Sequence, residues 1–154
     1  MFSRIIKEGD FVLSSGAKSR YNYDYSQLSD TMNEAYCSLL KQKLDVWQSE
    51  HGKFDVIIGC ETEGIRIGYV LSKLINLPFY IMPKKSTDYS EVVIPAYSVD
   101  THWLIVDDIV TTGSTYIKAV DFLDIEEKPE SITFACMIKR NTENMDYSAV
   151  HGDP

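Results

Sequence analysis

The most informative stretch of the sequence places two adjacent carboxylates, Asp107 and Asp108, just before a turn rich in hydroxyl groups. Neighbouring carboxylates repel each other unless a cation or hydroxyl groups share their charge. The turn consists of Thr111, Thr112, Gly113, Ser114 and Thr115. Its hydroxyls and backbone N–H groups, at the start of a predicted helix, are suited to hold a phosphate. Together the two halves predict a site for a sugar phosphate with Mg²⁺, which is typically held through few carboxylates plus phosphate oxygens of the substrate.

A simpler interpretation is that one aspartate caps the helix ahead of a threonine-rich turn. Capping requires a single Asp, however, and explains neither the second carboxylate nor the composition of the turn. Other phosphate chemistries fit less well. Phosphatases of the haloacid dehalogenase type require Asp-x-Asp, whereas Asp107 and Asp108 are adjacent, and the Gly-Lys-Ser/Thr of P-loop nucleotidases does not occur.

The composition of the 154-residue chain excludes further classes of function. General nucleic-acid binding requires a basic face, and the formal net charge is −8. The three cysteines, Cys37, Cys60 and Cys136, are odd in number and widely spaced, which disfavours a disulfide framework and suits a reducing, cytoplasmic compartment. No segment approaches the roughly 20 apolar residues that span a bilayer, so no membrane association is expected.

Short apolar runs that alternate with helical segments predict an α/β fold with a parallel sheet and right-handed crossovers. The predicted strands cover residues 54–58, 77–82, 103–106 and 131–138. The predicted helices cover residues 29–50, 65–75 and 115–123, the first with Ser29 as its N-cap and Gly52 as its terminator. Ligands bind beyond the carboxyl ends of the strands in such folds. The polar loops that follow strands are therefore expected to share one edge of the sheet.

The remaining segments are less regular. Residues 11–16 predict a short strand followed by a turn. A second short strand is predicted around Tyr21, Tyr23 and Tyr25, whose aromatic face is either core or a surface that stacks on a planar ligand. Residues 83–101 are polar, with only residues 92–94 as a candidate strand, and such a long loop is usually functional or disordered. The first helix is predicted to bury a mostly apolar stripe of Met32, Ala35, Tyr36, Leu39, Leu40, Lys43, Leu44 and Trp47.

Over residues 106–115 the chain resembles the type I phosphoribosyltransferases. Their signature for phosphoribosyl pyrophosphate (PRPP) is an apolar strand, two acidic residues, two further residues and then Thr-Thr/Ala/Gly-Gly-Ser/Thr, which matches nearly throughout. The resemblance covers residues 9–140. It implies one domain over residues 1–154, with a central parallel sheet flanked by helices, a small N-terminal hood over residues 1–26 and a mobile loop over residues 83–101. It also implies a homodimer that transfers a phosphoribosyl group from PRPP to a nucleobase, with Mg²⁺ as cofactor.

The resemblance also implies roles for individual residues. Asp107 and Asp108 match the acids that contact the ribose hydroxyls near the metal, and residues 111–115 match the loop that holds the 5′-phosphate. The family's pyrophosphate loop corresponds here to residues 59–64, and the predicted site residues in it are Glu61, Thr62, Glu63 and Gly64.

A basic pair, Lys84 and Lys85, looks like the lysines that meet pyrophosphate in the family, and both are predicted to be catalytic together with the two aspartates. The family usually adds another lysine and a His-Gly pair in this loop. Residues 86–90 contain neither and include Asp88. The missing lysine predicts a slow enzyme or a different solution in this loop, and the weakened loop also favours a further alternative, a catalytically weak, PRPP-binding regulatory module.

Two segments bear on the base acceptor. Residues 9–24 are similar to the N-terminal stretch of orotate phosphoribosyltransferases, which implies that Tyr23 meets the pyrimidine ring and that Lys18 lies near the carboxylate of orotate. Lys139 and Arg140 resemble the region of 6-oxopurine phosphoribosyltransferases in which a lysine meets the purine O6. Orotate, giving orotidine monophosphate, is the preferred prediction, and hypoxanthine or guanine is the alternative.

Overall fold

A computed structural model describes residues 5–12, 18–83, 100–111, 113–123 and 129–139 of the chain. Its first elements are two antiparallel strands, β1 (Ile6–Val12) and β2 (Lys18–Tyr23), which form a hairpin separate from the main sheet. A 3-10 turn, Tyr25–Gln27, connects this hairpin to the first helix. The backbone N–H of Asp24 donates to the carbonyl oxygen of Ile5 at 2.8 Å, and Ile5 is buried in the core. The hairpin is therefore anchored to the rest of the fold at its base.

A four-stranded parallel sheet forms the centre of the molecule, which confirms the predicted α/β architecture. Its strands are β3 (Val56–Cys60), β4 (Phe79–Met82), β5 (His102–Val110) and β6 (Ser131–Lys139). They lie in the order β4-β3-β5-β6, so the two central strands are β3 and β5. Both central strands are covered on their two faces, which explains their nearly continuous apolar sequences.

Three helices cover the sheet: α1 (Asp30–His51), α2 (Glu63–Ile75) and α3 (Ser114–Leu123). Side chains alternate between the two faces of each strand. Ile57 and Leu104 pack with residues of α1 and α2 on one face. Ile58 and Ile105 pack with Ala119 of α3 on the other.

Helix α1 begins and ends where the sequence predicts, because both caps form. The side chain of Ser29 accepts the backbone N–H of Met32 at 3.3 Å. Gly52 follows the last turn with a φ of 100°, a conformation that favours glycine.

The predicted stripe of α1 is confirmed in part, because Leu44 is buried and Met32, Tyr36, Leu40 and Trp47 pack against the core, but the centre of the buried face is shifted. Leu39, which was expected to be buried, is 55% exposed, whereas Asn33 and Cys37 are almost completely buried. The cause is the neighbouring helix: the thiol of Cys37 lies 3.8 Å from the carbonyl oxygen of Ile67 in α2. Packing against α2 thus buries a side of α1 that its own apolar pattern does not mark.

Predictions for the N-terminal strands were partly wrong. The first strand covers Ile6–Val12 and so begins earlier than the predicted residue 11, and residues 13–16 of the predicted strand and turn lie outside the described chain. Tyr25 belongs to the 3-10 turn and not to β2, because its hydroxyl is buried and donates to Oδ1 of Asn33 at 2.9 Å. The predicted strand at residues 92–94 also lies outside the described residues. No helix in the described part of the chain has the length and apolar character needed to cross a membrane.

Candidate functional site

Strand β5 continues through both aspartates, although the sequence predicts that it ends before them. Its last pair with β3 is Val106 with Gly59, but it remains paired with β6 as far as Val110 and Lys139. The longer partner supplies the backbone hydrogen bonds that keep β5 extended. Residues 107–110 therefore extend past the last residue pair between β5 and β3 at the carboxyl edge of the sheet.

The two carboxylates have different surroundings. Asp107 is only 7% exposed, and Asp108 is half-buried. Each accepts the backbone N–H of the residue that follows it, at 2.9 Å in both cases. Burial, together with the nearby charge of Asp108, raises the pKa of Asp107 to about 7. A cation or hydroxyl donors at this edge would stabilise the ionised form.

The hydroxyl-rich turn joins β5 to α3 beside these carboxylates. Gly113 has a φ of 75°, which favours glycine, and its carbonyl oxygen accepts the backbone N–H of Ile117 at 3.0 Å in the first turn of the helix. The side chain of Thr115 is hydrogen-bonded to Asp107, which acts to lower the pKa of that carboxyl. Ser114, the first residue of α3, borders the same space. The positive end of a helix and two hydroxyls thus meet the aspartates.

The connection between β3 and α2 is shorter than predicted, because α2 begins at Glu63 and not at residue 65. Only Glu61 and Thr62, joined by a cis peptide bond, separate strand from helix. Gly64 allows this close approach: a Cβ there would lie 2.5 Å from the carbonyl oxygen of Val106. The start of α2 is therefore held directly against β5, next to Asp107.

A cavity of about 490 Å³ lies between these loops and the N-terminal hairpin. It is lined by Phe11, Val12, Asn22, Tyr23, Glu61, Thr62, Glu63, Asp107, Asp108, Ile109, Thr111, Ser114 and Thr115. Four of the lining side chains are carboxyls, and none of the lining residues that the structure describes is basic. The cavity therefore brings the predicted ribose, phosphate and pyrophosphate residues together in an acidic setting.

The hairpin supplies one wall of this cavity. Tyr23 was predicted as a base contact, but Phe11, Val12 and Asn22 were not. The alternation of aromatic and polar residues along β2 indicates a strand. Where its side chains lie relative to the cavity depends on how the hairpin packs against the sheet and helices. The register with β1, including a shift between Glu8 and Phe11, is not encoded in either strand alone.

Other predicted residues lie elsewhere. Lys18, at the start of β2, borders a separate cavity of about 480 Å³ with Asp10, Phe11, Val12, Ser19 and Arg20. Lys139 is exposed at the last residue of β6 and does not line the cavity that contains the aspartates. Four predicted site residues lie outside the described part of the chain: Lys84, Lys85, Thr112 and Arg140.

The donors at this edge suit a hard cation that keeps most of its ligands from substrate and water. Asp107 and Asp108 offer carboxylate oxygens, which Mg²⁺ prefers. Within the described ranges, no group of three or more His, Cys, Asp or Glu side chains could hold a metal by itself. A cation that shares two carboxylates with phosphate oxygens fits this arrangement better than one in a cage made only of protein.

Comparisons with known proteins agree with the geometry. The family profile described as "Phosphoribosyl transferase domain" matches residues 25–151. The orotate phosphoribosyltransferase of Sulfurisphaera tokodaii is 30% identical over 125 residues, covering 80% of this chain and 63% of that protein. The enzyme of the same name from Pyrococcus horikoshii is 30% identical over 122 residues, covering 77% of this chain and 64% of that protein. The chain thus spans less than two thirds of the length of these relatives.

Two solved structures show the same fold. The orotate phosphoribosyltransferase from Aeropyrum pernix superposes with a TM-score of 0.70 at 22% identity, covering 89% of this chain and 77% of that one. The adenine phosphoribosyltransferase from Saccharomyces cerevisiae gives a TM-score of 0.67 at 16% identity, covering 90% and 86% of the two chains. These likenesses confirm the predicted fold, a parallel sheet flanked by helices with a small N-terminal hairpin.

Proposed function

We propose a function from one premise: this chain belongs to the phosphoribosyltransferase family. The proposed reaction transfers the phosphoribosyl group of PRPP to a nucleobase, with orotate as the preferred acceptor. The observation that carries the proposal is the cavity in which the Asp107–Asp108 pair, the start of α3 and the hairpin wall face one another. The aspartates and the start of α3 offer groups for a sugar phosphate, and Tyr23 offers an aromatic surface for a planar base.

The ribose 5-phosphate half of PRPP is assigned to the edge formed by β5 and α3. Asp107 and Asp108 would accept hydrogen bonds from the ribose hydroxyls and orient the ring. Thr111, Ser114 and Thr115, at the start of α3, would hold the 5′-phosphate, because a helix N-terminus favours an anion. Thr112 and Gly113 complete the predicted phosphate loop.

The pyrophosphate half is assigned to the short loop before α2. Glu61, Thr62 and Glu63 line the cavity there. Lys84 and Lys85, proposed to meet the leaving group, follow soon after β4, whose carboxyl end lies at the same edge of the sheet. Positive charge from this pair would offset the acidic lining.

In the proposed step a nitrogen of the base forms a bond to ribose C1 as the bond from C1 to the pyrophosphate oxygen breaks. The proton of that nitrogen passes to pyrophosphate or to water. The electron pair of the breaking bond leaves with pyrophosphate, and the ring passes through a cationic state. Asp107 and Asp108 would stabilise this positive charge electrostatically, and the cavity walls would position the base. Bound Mg²⁺, held near these two aspartates, would supply charge neutralisation for the phosphate oxygens.

The base is assigned to the hairpin wall, where Tyr23 and Asn22 offer an aromatic ring and an amide. The names of the relatives favour orotate. A specific observation favours a second candidate, a 6-oxopurine: none of the described lining residues is a cation that would pair with the carboxylate of orotate. Lys139, at the end of β6 and outside the lining of this cavity, is the residue that the sequence predicts to meet the purine in that case.

We also propose a homodimer and a cytoplasmic location. Tyr69 and Ile81, on α2 and β4, are large side chains that are 55% and 44% exposed, as expected of a surface that another subunit covers. The cysteines Cys37, Cys60 and Cys136 are free thiols, which suits a reducing compartment.

The test is isothermal titration with PRPP and Mg²⁺, followed by assays of nucleotide formation with orotate, uracil, hypoxanthine and guanine. Turnover with orotate supports the preferred acceptor, and turnover with hypoxanthine or guanine supports the alternative. Replacement of both Asp107 and Asp108 by Asn is expected to abolish PRPP binding. Tight PRPP binding without turnover on any base would indicate a regulatory module, and absence of PRPP binding would overturn the proposal.

A further inference from the structure

One guanidinium, that of Arg66, joins three parts of the structure around the cavity. Its Nη2 donates to the carbonyl oxygen of Leu28 at 2.6 Å and lies 3.2 Å from Oδ1 of Asp30. Its Nη1 lies 3.5 Å from Oε2 of Glu63. Leu28 belongs to the junction between the hairpin and α1, Asp30 is the first residue of α1, and Glu63 is the first residue of α2.

The helix dipole does not favour a cation at this position. Arg66 lies in the first turn of α2, where the helix dipole disfavours positive charge. The contact with Asp30 offsets this unfavourable interaction with the dipole only weakly, because the side chain of Asp30 is 93% exposed and water screens the ion pair. The side chains of Arg66 and Glu63 are 25% and 21% exposed, so their interaction is less screened.

Arg66 neutralises the negative charge that Glu63 brings to the cavity. Glu63 is one of the four carboxyls that line the cavity, and the proposed substrate carries several negative charges on its phosphates. A carboxylate without a counterion would repel that substrate. Arg66 stands behind Glu63, one helical turn along α2, and does not itself line the cavity.

We infer that Arg66 is a positioning residue for PRPP: it neutralises Glu63 at the pyrophosphate loop and fixes this loop relative to the junction between hairpin and α1. The inference rests on the proposed function, because it explains how the same cavity admits PRPP. Arg66 acts through Glu63 and the junction, without contact to the substrate.

The experiment compares PRPP affinity in the presence of Mg²⁺, by isothermal titration, for wild type, R66Q, E63Q and the double variant. R66Q is expected to weaken binding about tenfold, the scale of one uncompensated charge near a phosphate. E63Q removes the side-chain charge and leaves the backbone N–H groups of the loop in place for pyrophosphate, so it is expected to bind PRPP more tightly than wild type. The double variant is expected to return to within about twofold of wild type, because the repelling carboxylate is gone.

Further variants separate charge from packing. R66M keeps the aliphatic stem and is expected to show the same loss as R66Q. K41M removes a cation that pairs with Asp45 along α1 at 2.6 Å, and it is expected to leave PRPP affinity unchanged. Thermal unfolding of every variant checks that the fold is retained. If turnover is found, R66Q is expected to raise KM for PRPP with kcat within about twofold.

Three results would overturn the inference alone: PRPP affinity of R66Q and R66M equal to wild type, a double variant as weak as R66Q, or a clear loss of affinity in E63Q. The loss of affinity in E63Q would overturn the inference even if the Arg66 variants do not fold. Wild-type protein that binds no PRPP would instead overturn the proposed function, and the inference with it.

Discussion

At the scale of single residues, the site depends on two neighbouring carboxylates that face different sides of one strand. By alternation along β5, Asp107 shares the α3 side with Ile105, and Asp108 lies on the opposite side with Val106. Burial is the main cause of the raised pKa of Asp107, and the charge of Asp108 adds to it. The ligand-free site therefore holds a proton more readily than two separate aspartates would.

The first prediction concerns the pH dependence of stability. Because the pKa of Asp107 rises from 3.8 to about 7 on folding, the unfolded state loses this proton first as pH increases. The contribution of Asp107 to the free energy of unfolding is thus most favourable below about pH 4 and is lost as pH rises towards 7. Relative to wild type, D107N is expected to gain about 1–4 kcal/mol between pH 4 and pH 8.

Urea unfolding of the ligand-free protein at both pH values measures this difference. D121N, which changes an exposed aspartate of α3, serves as the control and is expected to follow the pH profile of wild type. A D107N profile parallel to that of wild type would show that the carboxylate is already well solvated.

At the scale of elements, glycines set how closely α2 approaches the sheet. A Cβ on Gly64 would lie 2.5 Å from the carbonyl oxygen of Val106 and 3.2 Å from Cα of Asp107. Both contacts are with backbone, which cannot swing aside as a side chain can. The close approach places Glu61 to Glu63 beside the aspartates.

The second prediction follows from this contact. G64A is expected to lower the free energy of unfolding by about 1–3 kcal/mol, because the helix must move away from β5. PRPP affinity is expected to fall as well, since the pyrophosphate loop moves with the helix. The matched control is G9A, whose Cβ would meet only the ring of Phe11, at 3.3 Å, and which is expected to cost less than about 1 kcal/mol. Urea unfolding and titration with PRPP check both, and equal stability of G64A and G9A would contradict the prediction.

Elements whose ends are set by capping residues in their own sequence could be predicted. Helix α1 has Ser29 and Gly52 at its ends, and both act as caps. Features that depend on a neighbour could not. The extension of β5 past Asp107 depends on the length of β6, and the burial of Cys37 in place of Leu39 depends on α2.

The candidate site divides in the same way. The aspartate pair and the hydroxyl turn are local patterns, and the structure places them on one cavity. Phe11 and Asn22 line that cavity because of how the hairpin docks, which no local pattern reports. Arg66 was also missed, although a cation in the first turn of a predicted helix is unusual enough to have indicated a contact beyond the helix.

At the scale of the whole molecule, an acidic protein is proposed to bind a polyanion. The net charge is −8, and four of the acidic side chains line the cavity at close range. Long-range and local fields therefore both oppose PRPP unless cations accompany it. This is the physical reason for proposing Mg²⁺ as part of the bound ligand.

The third prediction is that removal of Mg²⁺ with a chelator weakens PRPP binding by about tenfold or more. Under chelator, added NaCl is expected to improve the residual affinity, because screening reduces repulsion between ligand and protein. Titration with PRPP at several salt concentrations measures both effects. Affinity that is independent of Mg²⁺, or that falls steeply with salt, would indicate that lysines dominate the site instead.

The extension of β5 past its last residue pair with β3 has a consequence for insertions and deletions. The projecting part has four residues, 107–110, which span about 13 Å in an extended strand. Deleting one residue from β5 ahead of Asp107 would shorten this projecting part of the strand. It would also exchange the faces of the sheet on which Asp107 and Asp108 lie. A substitution changes one contact of the site at a time. A change in the length of β5 by one residue would instead displace all the side chains of residues 107–110 together.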